Sequence, residues 1–138
     1  MGLIIHRMPH LLQADAELFS DFLRAHPNRY THLDYDIRVG LGRDPGDTFP
    51  RHMRNMGIHL SQRRIDAVGF RPGIIDIIEV TLSAGLKALG QLTAYPLLYQ
   101  QSFFPTQALQ PVLVARQFST DAEILFNQSE IEVFLLPG

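Results

Sequence analysis

Residues 63 to 99, RRIDAVGFRPGIIDIIEVTLSAGLKALGQLTAYPLLY, contain two strand patterns followed by a helix pattern, and the rest of the chain arranges itself around them. The first strand, about 62 to 70, carries Asp66; the second, about 74 to 82, is an almost unbroken apolar run with Glu79 near its end. Such a run suits a strand covered on both faces. Side chains alternate along a strand, so Ile75, Ile77, Glu79 and Thr81 share one side while Ile74, Asp76, Ile78 and Val80 share the other. Glu79 therefore faces apolar surroundings, where an ionised carboxylate is costly unless it is paired, hydrogen-bonded or bound to a cation.

In the helix that follows, Lys87, Gln91 and Tyr95 recur at i, i+4 and i+8 and form one polar stripe, which is placed to line a cleft. Leu86, Leu89, Leu92 and Thr93 are expected to pack onto the sheet, with Ser83 as N-cap. Pro96 removes a backbone donor and clashes one turn back, so the spacing predicts a kink or break after Tyr95 and a resumption to about Gln101.

These residues resemble the PD-(D/E)XK nuclease-like superfamily, whose core is a helix, a three-stranded meander, a helix and a further strand. Asp66 looks like the acid of the second core strand, Glu79 like the acid opening the (D/E)-x-K signature, and Gln91 to Tyr95 like the Gln-x-x-x-Tyr of RecB-like members. The lysine expected two positions after Glu79 is Thr81. The resemblance covers residues 63 to 99 closely and the remainder only in element order.

If the site is active, the resemblance implies that Asp66 and Glu79 hold Mg²⁺ through oxygen ligands, with Gln91 and Tyr95 positioning substrate or water. Lys87, the single lysine of the chain, would then replace the signature lysine from the facing helix. With that lysine lost, the leading expectation is a degenerate nuclease-fold protein, non-catalytic or weakly catalytic. It would need no metal if inactive, and would serve a nucleic-acid-associated binding or assembly role such as a phage head-completion or connector component. The alternative is an active Mg²⁺-dependent DNA endo- or exonuclease. DNA, other proteins or a homo-oligomer are the partners these readings imply, in a cytoplasmic or virion setting.

Working outward, 138 residues suffice for one domain with a real core, and 46% hydrophobic with 19% charged content belongs to a globular chain. The absence of cysteine excludes a disulfide framework or cysteine-zinc site and fits a reducing compartment. No apolar run reaches the roughly 18 residues of a membrane span, and the first 15 residues lack a signal-peptide pattern, so no membrane association is expected. Net charge is −2, but residues 38 to 71 hold seven arginines against Asp44, Asp47 and Asp66, a net of +4, while the last 22 residues hold four acids and no base. A basic segment beside an acidic site can steer a phosphate backbone; it can equally be an ordinary solvated face. Arg43, Arg51, Arg54, Arg63 and Arg64 are the candidate nucleic-acid contacts.

Upstream, residues 11 to 26 form an amphipathic helix pattern ended by His26-Pro27, from which Glu17 is the acid placed to approach the site, although solvent exposure is the commoner fate of a lone helix carboxylate. Residues 34 to 42 alternate as a strand with Tyr35, Ile37 and Val39 on one side, and Arg43 to Pro50 is a loop leading to a short helical turn over Arg51 to Met56. Downstream, Pro111 to Arg116 is a buried strand, Thr120-x-x-Glu123 a capping box opening a helix to Gln128, and Ile131 to Leu136 a last strand parallel to its predecessor. The expected fold is a single α/β domain over residues 1 to 138, a restriction-endonuclease-like mixed sheet flanked by helices in the order αβββαβαβ. His6 and His10 are the one histidine pair at metal-ligand spacing, without a third ligand nearby.

Overall fold

Pro72 and Gly73 turn the chain back between two antiparallel strands, β2 (Arg63–Arg71) and β3 (Ile74–Ala84). Proline presets the first turn residue and Gly73, at φ +75°, supplies the left-handed conformation that a side chain would resist. The structure is a computed structural model that describes residues 11–138, save the side chains of Leu60 and Ser61. The histidine pair His6 and His10 lies outside the described residues.

The remaining elements are α1 (Gln13–Ala25), β1 (His32–Val39), α2 (Arg51–Ser61), α3 (Leu86–Phe103), β4 (Ala108–Phe118), α4 (Ala122–Asn127) and β5 (Glu132–Leu135). The five strands form one sheet in the order β1-β2-β3-β4-β5, antiparallel across the first two pairings and parallel across β3–β4 and β4–β5. This is the mixed, helix-flanked α/β sheet that the sequence predicts, with α2 grown from a short turn into an 11-residue helix.

The apolar run of β3 serves two layers. Ile78 and Val80 pack with Leu18, Phe19, Phe22 and Leu23 of α1. Ile75 and Ile77 point the other way and pack with Tyr95 and Tyr99 of α3. Further along the α3 layer, Ala88 and Leu92 meet Leu113, Phe126 of α4 and Ile131.

Several local expectations are corrected. Ser83 does not cap α3, because β3 stays paired with β4 as far as Ala84↔Phe118 and the helix starts only after Gly85. Pro96 lies inside a single helix and does not divide it. Packing of Leu92, Tyr95 and Tyr99 on the sheet spans the missing hydrogen bond. A stripe at i, i+4, i+8 rotates by about 80° over eight residues at 3.6 per turn. Tyr95 is thereby carried onto the buried face, at 5% exposure, while Leu86 faces outward at 67%. In β1, Asp36 takes φ +56° and breaks the alternation, so Tyr35 joins the α1 layer while Ile37 and Val39 join the α3 layer. The capping box at Thr120 is not formed: α4 begins after Asp121, at φ +66°, without a side-chain cap.

Candidate functional site

The ladder between β2 and β3 runs from Arg71↔Ile74 to Ala67↔Ile78, and there the two strands part. Asp66 is the first residue beyond the parting. Its Oδ2 accepts a hydrogen bond from the Val80 amide at 2.9 Å, so a side chain takes the role a strand carbonyl has elsewhere in the sheet. Glu79 hydrogen-bonds to Asp66 across the same gap.

Glu79 is 9% exposed. Burial, then the neighbouring Asp66 charge, push its carboxyl up to about 9, against the smaller pull of Lys87. Burial also raises Asp66, opposed by its hydrogen bonds from Val80 and Glu79. At neutral pH the pair therefore holds a proton between its two carboxyls. A cavity of about 280 Å³ opens onto the pair and is also lined by Asp15, Thr81, Lys87 and Gln91.

Of the five candidate catalytic residues named from the sequence, Asp66, Glu79, Lys87 and Gln91 line this cavity and Tyr95 does not. Lys87 is exposed on the first turn of α3 and faces the acids across this cavity. Gln91 lines it and donates from Nε2 to the Tyr95 hydroxyl at 3.2 Å. Tyr95 is buried and reaches the site through Gln91; its phenol is held above the usual range by burial and then by the Glu79 charge.

The acid that α1 contributes is Asp15, not Glu17. Glu17 is exposed and accepts from Gln13 Nε2, whereas Asp15 borders the cavity with its carboxyl raised by burial. The periodicity carries the signal: Asp15 precedes Leu18, Phe19 and Phe22 by three, four and seven positions, the spacing of the sheet-facing side of α1.

The candidate arginines divide. Arg63 and Arg43 line a neighbouring cavity with Leu98. Arg54 is bound to Asp44 at 2.6 Å and to Asp47 at 3.2 Å, and Arg64 lies 3.8 Å from Asp36. Arg51 opens α2, exposed, and lines neither cavity.

Asp76, three residues before Glu79, shows what a structural acid looks like in this sheet. It is fully buried and saturated: Arg29 Nη2 at 2.9 Å and the Tyr30 hydroxyl at 2.6 Å donate to Oδ2, and Arg71 Nη2 at 2.8 Å donates to Oδ1. Arg29 also reaches Glu132 of β5 at 2.8 Å. Asp76 pairs with Gly69, over which the Tyr30 ring lies so closely that an added Cβ would clash with it. Sequence alternation puts Asp76 on the α1 side but offers nothing to tie it to Arg29, which is 47 residues away.

Among the described residues no three His, Cys, Asp or Glu side chains converge on one point. The donor set for a cation is therefore Asp66 and Glu79. Two carboxylates fit Mg²⁺, which commonly takes one or two from the protein and fills its octahedron with water and substrate phosphate. The shared proton in a buried, anionic pocket is the charge that such an ion would displace.

No protein-family model matches this chain, and no curated protein does. Two solved structures resemble it. A repair endonuclease from Pyrococcus abyssi superposes with a TM-score of 0.59 at 17% identity, over 96% of this chain and 50% of that one. A protein of unknown function superposes with a TM-score of 0.51 at 15% identity, over 86% of this chain and 55% of that one. The chain spans about half the length of both, and at these identities the likeness is one of fold. The chain has a nuclease-like mixed α/β fold, with a five-stranded sheet between helices. No helix of the described residues is long and apolar enough to cross a membrane.

Proposed function

We propose that the protein is a divalent-cation-dependent DNA nuclease of reduced rate, with Asp66 and Glu79 as the cation-binding carboxylates and Lys87 in place of the signature lysine that Thr81 lacks. One observation carries this reading: of the two buried acids on β3, Asp76 is neutralised by two arginines and a tyrosine, while Glu79 is left beside another carboxylate at the mouth of a cavity. A relic acid with no task would be replaced by an apolar residue at a gain in stability, because burying a carboxyl beside a like charge opposes folding.

Asp66 and Glu79 would hold a Mg²⁺ ion, which would supply positive charge opposite the scissile phosphate and lower the pKa of a bound water. The chain's own groups do the rest. Asp66 is held in place by the Val80 amide, which donates to its Oδ2. Lys87 brings a cation on a flexible stem to the same cavity, where it can balance charge on the scissile phosphate. Gln91, braced by the Tyr95 hydroxyl, offers amide hydrogen bonds to substrate or water. Asp15 adds a third negative charge at the rim without joining the donor pair.

This ordering reverses the expectation drawn from the lost lysine alone. The second reading, a non-catalytic binding or assembly module such as a phage head-completion or connector component, keeps one observation in its favour. Leu97, Phe103 and Phe104 are 67%, 51% and 77% exposed at the end of α3, away from the acids, as an interface would require. DNA cleavage assayed in Mg²⁺ or Mn²⁺ and again in excess chelator separates the two. The nuclease reading expects slow cleavage that the chelator stops; the assembly reading expects none in either condition.

A further inference from the structure

Three cavities lie in series along α3. The acid cavity shares Lys87 and Gln91 with a second of about 330 Å³, and that one shares Arg63 and Leu98 with a third of about 740 Å³ bordered by Arg43 and Leu41. Among their α3 members, Lys87, Gln91, Tyr95, Leu98 and Ser102 recur at three- and four-residue steps and so trace one path along the helix. Fifteen residues at 1.5 Å each make the path about 22 Å long.

We infer that this groove binds single-stranded DNA, leading one strand from Arg43 past Arg63 to the acid pair. The inference rests on the nuclease reading for its direction of travel, but the binding itself does not depend on a metal. Cations stand at three points of the groove: Lys87 beside the acids, Arg63 where the second and third cavities join, and Arg43 at the far end. Between them Leu86, Leu98 and Leu41 give the walls apolar surface, Leu86 at 67% and Leu41 at 93% exposure, interrupted by Gln91, Gln101 and Ser102, while the acid end is lined by carboxyls. A duplex presents phosphate and sugar outward and keeps its base faces stacked inside, so it would use the cations and leave the leucines wet. A single strand presents both phosphates and unstacked base faces, which matches alternating cationic and apolar walls. Arg54 of α2, tied to Asp44 and Asp47, lies outside this path, so the groove draws on only part of the basic segment.

The test is fluorescence anisotropy with a labelled thymidine oligonucleotide and a duplex of equal length, at low salt in chelator, for wild type, Arg63→Glu and Leu86→Glu. Leu86 is exposed, so its variant folds even where another change in the groove fails. The single strand is expected to bind at least tenfold more tightly than the duplex, and each substitution to weaken it at least tenfold. Duplex binding equal to or tighter than single-strand binding overturns the inference, as does undiminished single-strand binding by both variants. Mn²⁺ titration of the same proteins tests the parent reading separately: wild type that takes no Mn²⁺ yet binds the oligonucleotide through Arg63 removes the nuclease and leaves the groove.

Discussion

Asp66 and Glu79 border one cavity at the point where β2 and β3 part, with Asp66 accepting from the Val80 amide at 2.9 Å and the Glu79 carboxyl pushed up by burial and then by the Asp66 charge. The proton they share sets the pH behaviour of the protein and of its site.

Glu79 rises from 4.5 in the unfolded chain to about 9 in the fold. A folded pKa above the unfolded one gives stability that is fully present below pH 4.5 and is lost as pH climbs toward 9. Glu79→Gln removes the ionisable group, so its melting temperature should exceed that of wild type at pH 9 and match it more closely at pH 5. Thermal melts across this range check the sign; a wild type that becomes relatively more stable with rising pH contradicts it.

The same proton competes with a cation. Mn²⁺ affinity should therefore rise by up to about tenfold per pH unit between pH 6 and 8, with about one proton released per ion bound. Calorimetric titration in two buffers of different ionisation enthalpy counts those protons. A flat affinity across the range would show that the metal displaces no proton from Glu79.

Lys87→Ala should lower cleavage by about 10²- to 10³-fold, the usual loss for one electrostatic contact to a developing charge, with circular dichroism unchanged. Thr81 lines the same cavity, so Thr81→Lys in that background should restore much of the rate. A lysine at 81 that leaves the Lys87→Ala rate unchanged would show that the two positions do not serve one phosphate.

Asp76→Ala tests the structural acid. Arg29 and Arg71, with side chains 15% and 23% exposed, would lose their shared partner, at a cost of about 3–5 kcal/mol for a broken buried pair. Urea denaturation should register that loss, with Mn²⁺ binding at Asp66 and Glu79 retained in the folded fraction. A cost below about 1 kcal/mol would mean that Asp76 is not the clamp between the Arg29 loop and the sheet.

Much of the fold and of the site is legible in the sequence, because β3 and α3 declare themselves locally. Period-two and period-3.6 patterns place Ile75, Ile77 and Glu79 on one side and Ile78 and Val80 on the other, as the two core layers require. Asp66, Glu79, Lys87 and Gln91 meet in one cavity because they lie on consecutive elements, where order along the chain nearly dictates neighbours. What the sequence hides depends on distance or on backbone exceptions. Asp36 at φ +56° breaks an alternation that its neighbours advertise, and β3 outlasts its apolar run because β4 continues to pair with it. On α1, helical phase favours Asp15 over Glu17, but a lone carboxylate at a helix start carries no other local mark of its neighbours. The Arg29–Asp76–Arg71 cluster joins residues whose proximity no local pattern encodes.

On the proposed function, Asp66 and Glu79 hold a divalent ion for cleavage of DNA. Its most direct test is the rate at which wild type and Asp66→Ala, matched for folding by circular dichroism, cut linear, branched and single-stranded DNA in Mn²⁺. We predict slow cleavage by wild type, greatest on the single strand, and none by Asp66→Ala. Cleavage that survives Asp66→Ala, or a wild type that cuts none of the three substrates, would contradict it.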